Sequence, residues 1–410
     1  MEAPAPAPAA PPTATASAEV RAALSGFLDW VATPPGWPLR CVLAENRKNR
    51  SGSFDPAHVD FTASSNGTLP WPFGHPDEET GLFEAVATMV PAELGVRFLR
   101  RLGNTSGMSS NVYELEVLGS FRAAYKTCHL RERSPLVRER QVMPAIRAAA
   151  PQYSFEQYDV RQYEAALELA GDGGTVHDWA CAPGSPAPGT PERRRWARRC
   201  NALTLDALRL IHDAGFFHAD LKPQNLLLLQ PDAADPEAFE VRVCDWEQDN
   251  WPARDAACGP ARSRLRDNLM LARCVCAVYC DLCAFCASEQ LRKRRSFLHW
   301  NQDLTVGLLR GWMSANPAWF GEDLALLRRA LLLDEPSFPY PDGGREAEDW
   351  SGTPAGNSSD RAVIEAISEE EARGWVDRQE RAFGELVALG CPALATAGSA
   401  EWRSYRAPDP

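Results

Sequence analysis

Between Val96 and Val176 the chain carries short runs of β-branched and aromatic residues: Val96–Leu99, Val112–Val117, Phe121–Tyr125, Phe155–Tyr163 and Ala165–Leu169. Runs of that length and composition predict a small antiparallel sheet. One helical stretch, Pro135–Ala150, interrupts the series, with Pro135 in a first turn where its missing N–H is tolerated. After a loop rich in Pro, Gly and Ser at Pro183–Pro191 the pattern becomes helical. Trp196, Cys200, Leu203, Ala207 and Leu210 recur at intervals of three and four, which gives one buried face to a helix over Pro191–Ala214, and Gly215 follows as its cap. Asp267–Cys286 is apolar nearly all round, as in a helix at a domain centre. Ser351–Asp360 reads as a polar linker before a charged helical stretch, Arg361–Ala388. Residues 21–80 mix apolar stretches with Trp-Pro, Pro-Pro and Ser-Gly-Ser breakers and show no sustained period. There is no internal repeat.

Composition narrows the classes. A length of 410 residues with 45% hydrophobic residues can fill a sizeable core. The formal charge, 43 − 55 = −12, argues against a general binder of nucleic acid or anionic membrane. Met1–Val20 is Ala, Pro, Thr and Ser with Glu2 and Glu19 as its charges; it reads as a disordered tail and lacks the features of a secretory signal. No run reaches the roughly 18 apolar residues that cross a bilayer, so a soluble protein of the cytoplasm or nucleus is expected. Twelve cysteines in 410 residues are too sparse for a disulfide scaffold, and free thiols are expected. Cys274, Cys276, Cys280, Cys283 and Cys286 have helical spacing but no second paired knuckle, and read as small buried hydrophobes rather than metal ligands.

The densest chemical signal is His218-Ala219-Asp220-Leu221-Lys222-Pro223-Gln224-Asn225, followed after a hydrophobic run by Asp245-Trp246-Glu247. It resembles the catalytic and metal-binding loops of the protein kinase superfamily, H-R-D-x-K-x-x-N and D-F-G. Phosphoryl transfer needs a carboxylate near the attacking hydroxyl and hard oxygen ligands for magnesium. The resemblance implies Asp220 as the catalytic base, Lys222 beside the transferred phosphate, and Asn225 and Asp245 as the Mg2+ ligands, with ATP as the phosphate donor.

The upstream parts that the resemblance implies follow in order. Leu102–Tyr113 resembles a glycine-rich strand-turn-strand, in which Gly103, Gly107 and Val112 would meet the nucleotide. It has fewer glycines and a longer turn than G-x-G-x-x-G. Ala123-Ala124-Tyr125-Lys126 matches the V-A-I-K position, which gives Lys126 to the nucleotide phosphates. Glu139 is its expected ion-pair partner, with Glu132 as the alternative should the helix begin earlier. Glu168–Gly171 would be the hinge whose backbone holds the adenine, so Glu168 and Ala170 join the ATP-binding set. Asp267 matches the buried anchor of the catalytic loop. The implied architecture is α+β and bilobal: a small antiparallel β-sheet N-lobe at 81–178, a larger helical C-lobe at 179–410, ATP between them, and a segment of unknown role at 21–80 after the tail at 1–20.

Departures from the family pattern leave the acceptor open. Ala219 replaces the arginine that partners a phosphorylated activation loop, so activity should not require phosphorylation of Trp246–Arg266. Only 22 residues separate Asp245 from Asp267, with no Ala-Pro-Glu between them, and Asp-Trp-Glu is similar to the metal loop of aminoglycoside and choline phosphotransferases. Asp220–Asn225, with its lysine, instead has the serine/threonine protein kinase form. A protein substrate leads; a small-molecule hydroxyl is the alternative, and a scaffold pseudokinase is a third.

Overall fold

The computed structural model of the chain describes residues 16–43, 89–102, 110–128, 135–169, 174–182, 184–218, 221–229, 238–246, 259–280, 306–338, 364 and 367–394. It is an α+β protein made of two compact units. Unit 1 comprises Met1–Arg147 and Ser154–Gly174, and unit 2 comprises Ala148–Tyr153 and Thr175–Pro410.

Unit 1 is built on a five-stranded antiparallel sheet with strand order β1-β2-β3-β5-β4. The strands are β1 Val96–Leu102, β2 Ser110–Val117, β3 Phe121–Cys128, β4 Gln157–Val160 and β5 Glu164–Glu168. The sheet forms where the sequence runs predict it, with β1 and β3 extending further and the Phe155–Tyr163 run shortened to β4. Ala123 to Cys128 is buried without interruption, as befits a central strand covered on both faces. Opposite residues in an antiparallel ladder share a face. Tyr113, Leu115, Val117, Ala123, Tyr125 and Ala166 therefore form one apolar face, and the same residues belong to one core cluster.

A helix that the sequence did not announce covers that face. This is α1, Ala18–Val31, capped by the Ser17 hydroxyl, which accepts from the Val20 N–H. It buries Val20, Leu24, Phe27, Leu28 and Val31, a stripe of threes and fours. The Phe27 ring meets Phe98 and Tyr125 edge-on, at 5.8 and 5.4 Å between centroids. α1 also corrects the tail boundary, since it starts at Ala18. The stripe spans only 14 residues and is followed at once by Thr-Pro-Pro-Gly-Trp-Pro, which masks its period in a wider window. A short helix, α2 at Trp37–Leu43, follows. α3, Pro135–Ala149, belongs to unit 1 as far as Arg147.

Unit 2 is mainly helical. Its described elements include α4 Val176–Cys181, α5 Pro191–Asp213, α6 Pro260–Ala277, α7 Val306–Ala315, α8 Pro317–Phe320, α9 Leu324–Ala330, α10 Glu369–Gly390 and the one-turn α11 Pro392–Leu394, with a two-stranded ribbon of β6 Leu226–Leu229 and β7 Glu240–Val243. α5 starts with Thr190 as cap and Pro191 in its first turn, and ends where Gly215 takes φ +82°. α10 lies against α5 and α6. The approach is close: a Cβ on Gly390 would fall 1.9 Å from the Arg198 carbonyl oxygen. Ser368 and Glu371 form a capping box at its start.

The apolar helix expected from Asp267 begins seven residues earlier, with Gly259 as cap and Pro260 in the first turn. Asp267 therefore lies in the body of α6, buried. The polar residues Arg262 and Arg266 interrupted the apolar pattern and hid that start. Among the described residues no helix is long and apolar enough to cross a membrane.

Candidate functional site

Two groups of the sequence-predicted residues are placed by the fold, one in each unit. In unit 1, β3 carries Lys126 on the face opposite Tyr125, directly across the ladders from Val112 on β2 and Ala165 on β5. Its Nζ donates to Glu139 Oε2 on α3 at 3.0 Å. Both residues are buried, with 5% and 1% of their surface exposed. A buried ammonium is costly unless paired, so Glu139 fixes where the charge of Lys126 sits. Glu139 Oε1 has no hydrogen-bond partner among the described residues. Of the two partners the sequence left open, Glu139 makes the pair; Glu132 lies outside the described residues, as do Gly103 and Gly107. Glu168 ends β5, its N–H donating to the Glu156 carbonyl and its carboxylate accepting from the Glu156 N–H. The Glu168 N–H is thus already committed within the sheet. Ala170 lies outside the described residues.

In unit 2, the residues flanking the candidate catalytic loop are pinned from three sides. Asp267 Oδ2 accepts from the His218 N–H at 3.0 Å and from His212 Nε2 at 2.6 Å. Burial pushes the Asp267 carboxyl up. The hydrogen bond and charge of His212, with the His218 N–H, outweigh this and hold it at about 2. Burial pushes the His212 imidazole down, more than the carboxylate raises it. At neutral pH an ionised Asp267 accepts from a neutral His212, and the His212 charge acts on the carboxylate only once acid protonates the ring. The His218 ring, packed on Trp246 at 4.6 Å between centroids, donates through Nε2 to the Cys244 carbonyl at 2.8 Å. That bond ties the segment leading into the catalytic loop to the residue before Asp245.

Asn225 is brought to the same place by the ribbon. Leu226 pairs with Val243, so Asn225 just before β6 and Cys244 just after β7 share one end, and the Cys244 N–H donates to the Asn225 carbonyl at 3.0 Å. Asn225 is buried. Asp245 follows with φ +71°, in the left-handed region. Aspartate tolerates this region better than most residues, and such strain persists where surrounding structure fixes it, often at functional sites. Lys222 precedes the single turn Pro223–Asn225 and its carbonyl accepts from the Asn225 N–H.

No protein-family model matches the chain, and no curated protein is significantly similar to it in sequence. The site is therefore read from its own geometry.

Asp220, the candidate base, lies outside the described residues, as do Ala219 and Glu247. Among the described residues no group of three His, Cys, Asp or Glu side chains is placed to hold a metal ion. The donors that the sequence names for magnesium are the Asn225 amide oxygen and the Asp245 carboxylate, hard oxygens of the kind magnesium takes. Sequence reasoning missed His212 and the Cys244 carbonyl. His212 sits in the last turn of α5, six residues before His218, and only the approach of α6 shows that it shares a carboxylate with the loop. Cys244 acts through its backbone, which leaves no side-chain signature.

Proposed function

We propose that this chain is an ATP-dependent kinase of the protein-kinase type, transferring the γ-phosphoryl group of ATP to a hydroxyl, with Ser or Thr of a protein as the leading acceptor. On this reading unit 1 is the small lobe and unit 2 the large one. The observation that carries it is the buried Lys126–Glu139 pair, formed between a central strand and the helix that follows it. An ordinary sheet has no use for a lysine on its central strand, and desolvating one costs several kcal/mol (roughly) before pairing. A cation fixed in that way is suited to nucleotide phosphates.

The other roles follow from the chain's own residues. Asp220 accepts the proton of the attacking hydroxyl. Lys222 offsets charge on the moving phosphoryl group. Asn225 and Asp245 would hold magnesium, which when bound neutralises phosphate charge. His218, Asp267 and the Cys244 carbonyl keep the two loop segments in fixed relation, which is the positioning on which phosphoryl transfer depends.

A second reading, a small-molecule phosphotransferase, has its own support. Because α6 starts at Pro260, only residues 246–259 lie between Asp245 and that helix, which leaves little chain for docking a peptide. The test is transfer of labelled phosphate from ATP with magnesium to generic protein substrates and to a panel of small hydroxyl compounds, with Asp220→Ala alongside. Label on protein, lost in Asp220→Ala, supports the first reading. Label on small molecules alone supports the second. ATP binding without transfer leaves a scaffold, and unchanged transfer by Asp220→Ala removes the site assignment.

A further inference from the structure

The segment before the sheet does more than cover it. Three residues stand side by side across β2, β3 and β5: Asn111, Thr127 and Glu164. The next row along the same strands is Val112, Lys126 and Ala165. The two rows face opposite sides of the sheet. α2 grips the first row. The Leu43 carbonyl accepts from Asn111 Nδ2 at 2.7 Å and from the Tyr113 hydroxyl at 2.9 Å, so the residues on either side of Val112 are tied to one backbone oxygen. Arg40 forms a salt bridge with Glu164. Its guanidinium lies between the rings of Trp37 and Tyr163, 4.6 Å from each centroid.

These are expensive groups to bury for packing alone. Arg40, Asn111 and Glu164 are all buried, and burial pushes the Glu164 carboxyl up while Arg40 opposes it. Apolar side chains would seal a sheet face at lower cost. Directional polar contacts fix register, because a slip of one residue would turn every side chain of a strand to the other face. Here the register being fixed is that of the strands that carry Val112 and Lys126, and β2 begins directly after the candidate nucleotide loop at residues 103–109.

We infer that Ala18–Leu43 is a positioning element for the nucleotide-binding side of unit 1, with Arg40, Asn111 and Tyr113 as positioning residues that hold Val112 and Lys126 from behind. The inference rests on the kinase reading for its effect on ATP, but not for its effect on the sheet. The experiment compares the full chain with Asn111→Ala/Tyr113→Phe and with Arg40→Lys. It measures kcat and KM for ATP, and in parallel amide hydrogen exchange across residues 110–128 and across α5.

Loss of both bonds to Leu43 should raise the KM for ATP about tenfold, in line with two buried hydrogen bonds of ordinary strength. The kcat at saturating ATP should change much less. Exchange should quicken at 110–128 and stay unchanged in α5. Arg40→Lys, which keeps the charge but not the planar stack, should give a smaller shift of the same kind. Unchanged exchange at 110–128 overturns the inference, whatever the activity. Equal losses of kcat and folded fraction, with KM constant, reduce the segment to ordinary packing and also overturn it. Should the wild-type chain transfer no phosphate, the kinase reading fails, and exchange still decides whether the brace exists.

Discussion

The two units bury charge in different ways. Around Asp267, one carboxylate oxygen takes two N–H donors from residues on either side of a turn. At Lys126, a cation meets a carboxylate from another element, while the second oxygen of Glu139 accepts from no described residue. The first arrangement is what holds a loop. The second sets a cation between a strand and the helix that follows it. The difference lies in what is held: backbone around Asp267, a charge at Lys126.

The strongest way to break that contrast is to remove Asp267. Asp267→Ala strands the His218 N–H and the His212 Nε2–H, and should cost about 3–5 kcal/mol of stability in urea denaturation, with transfer per folded molecule falling as well because the loop loses its anchor. A cost below about 1 kcal/mol would mean that both donors find other partners.

Lys126→Met removes the charge instead. Transfer per folded molecule should fall about 10²–10³-fold, on the order of 3–4 kcal/mol of transition-state stabilisation, and Glu139→Gln in the same chain should restore none of it. Recovery by the second change would make Lys126 a partner of Glu139 and nothing more.

Acid separates the clusters next. The Asp267 carboxyl is held at about 2 against an ordinary 3.8, so its stabilisation is fully present above 3.8 and is lost as pH falls toward 2, worth about 2 kcal/mol. His212, held below its ordinary 6.5, adds to the loss on acidification, since the unfolded chain gains a proton first. Melting temperature against pH should show this limb, and Asp267→Asn should flatten its lower part.

The smallest expected effect has the opposite sign. Burial pushes the Glu380 carboxyl on α10 up to about 7 despite Arg264, whose Nε donates to it at 2.5 Å. That contribution is present below 4.5 and lost as pH rises toward 7. Glu380→Gln should remove that fall and let stability rise more steeply over the window, with a modest net change because a charged partner of Arg264 is lost as well. A wild-type profile that rises between pH 4.5 and 7 as steeply as the variant's would contradict it.

Much of this was legible in the sequence where local pattern and final environment agree. The sheet runs, α3, the α5 face and its Gly215 stop were readable because burial there follows a local period. The Lys126–Glu139 pair was implied by the family resemblance, with Glu132 left open, and the fold forms it between consecutive elements. α1 was not readable, since its stripe is short and flanked by breakers, and the sheet face it covers is built from residues that begin only at Val96. The start of α6 was obscured by arginines in a helix that buries Arg264 and Arg273. His212 and the Cys244 carbonyl become informative only through contacts over 55 and 26 residues. No period or spacing encodes such distances.

The placing of α10 against α5 and α6 has a consequence for synthesis. The described part of unit 1 ends at Gly174, whereas α10 is complete only at Gly390, 216 residues later (390 less 174). At about 5–20 residues per second that is roughly 10–40 s. From the completion of α6 at Ala277 to that of α10, 113 residues (390 less 277) or roughly 6–23 s at the same rate, the faces of α5 and α6 that α10 will cover have been made but not sealed. Unit 1 can close its core early on the ribosome, and unit 2 must wait for nearly its last helix. A nascent chain halted before α10 therefore presents those apolar faces to its surroundings, and the protein's exposure to misassembly is concentrated in that interval.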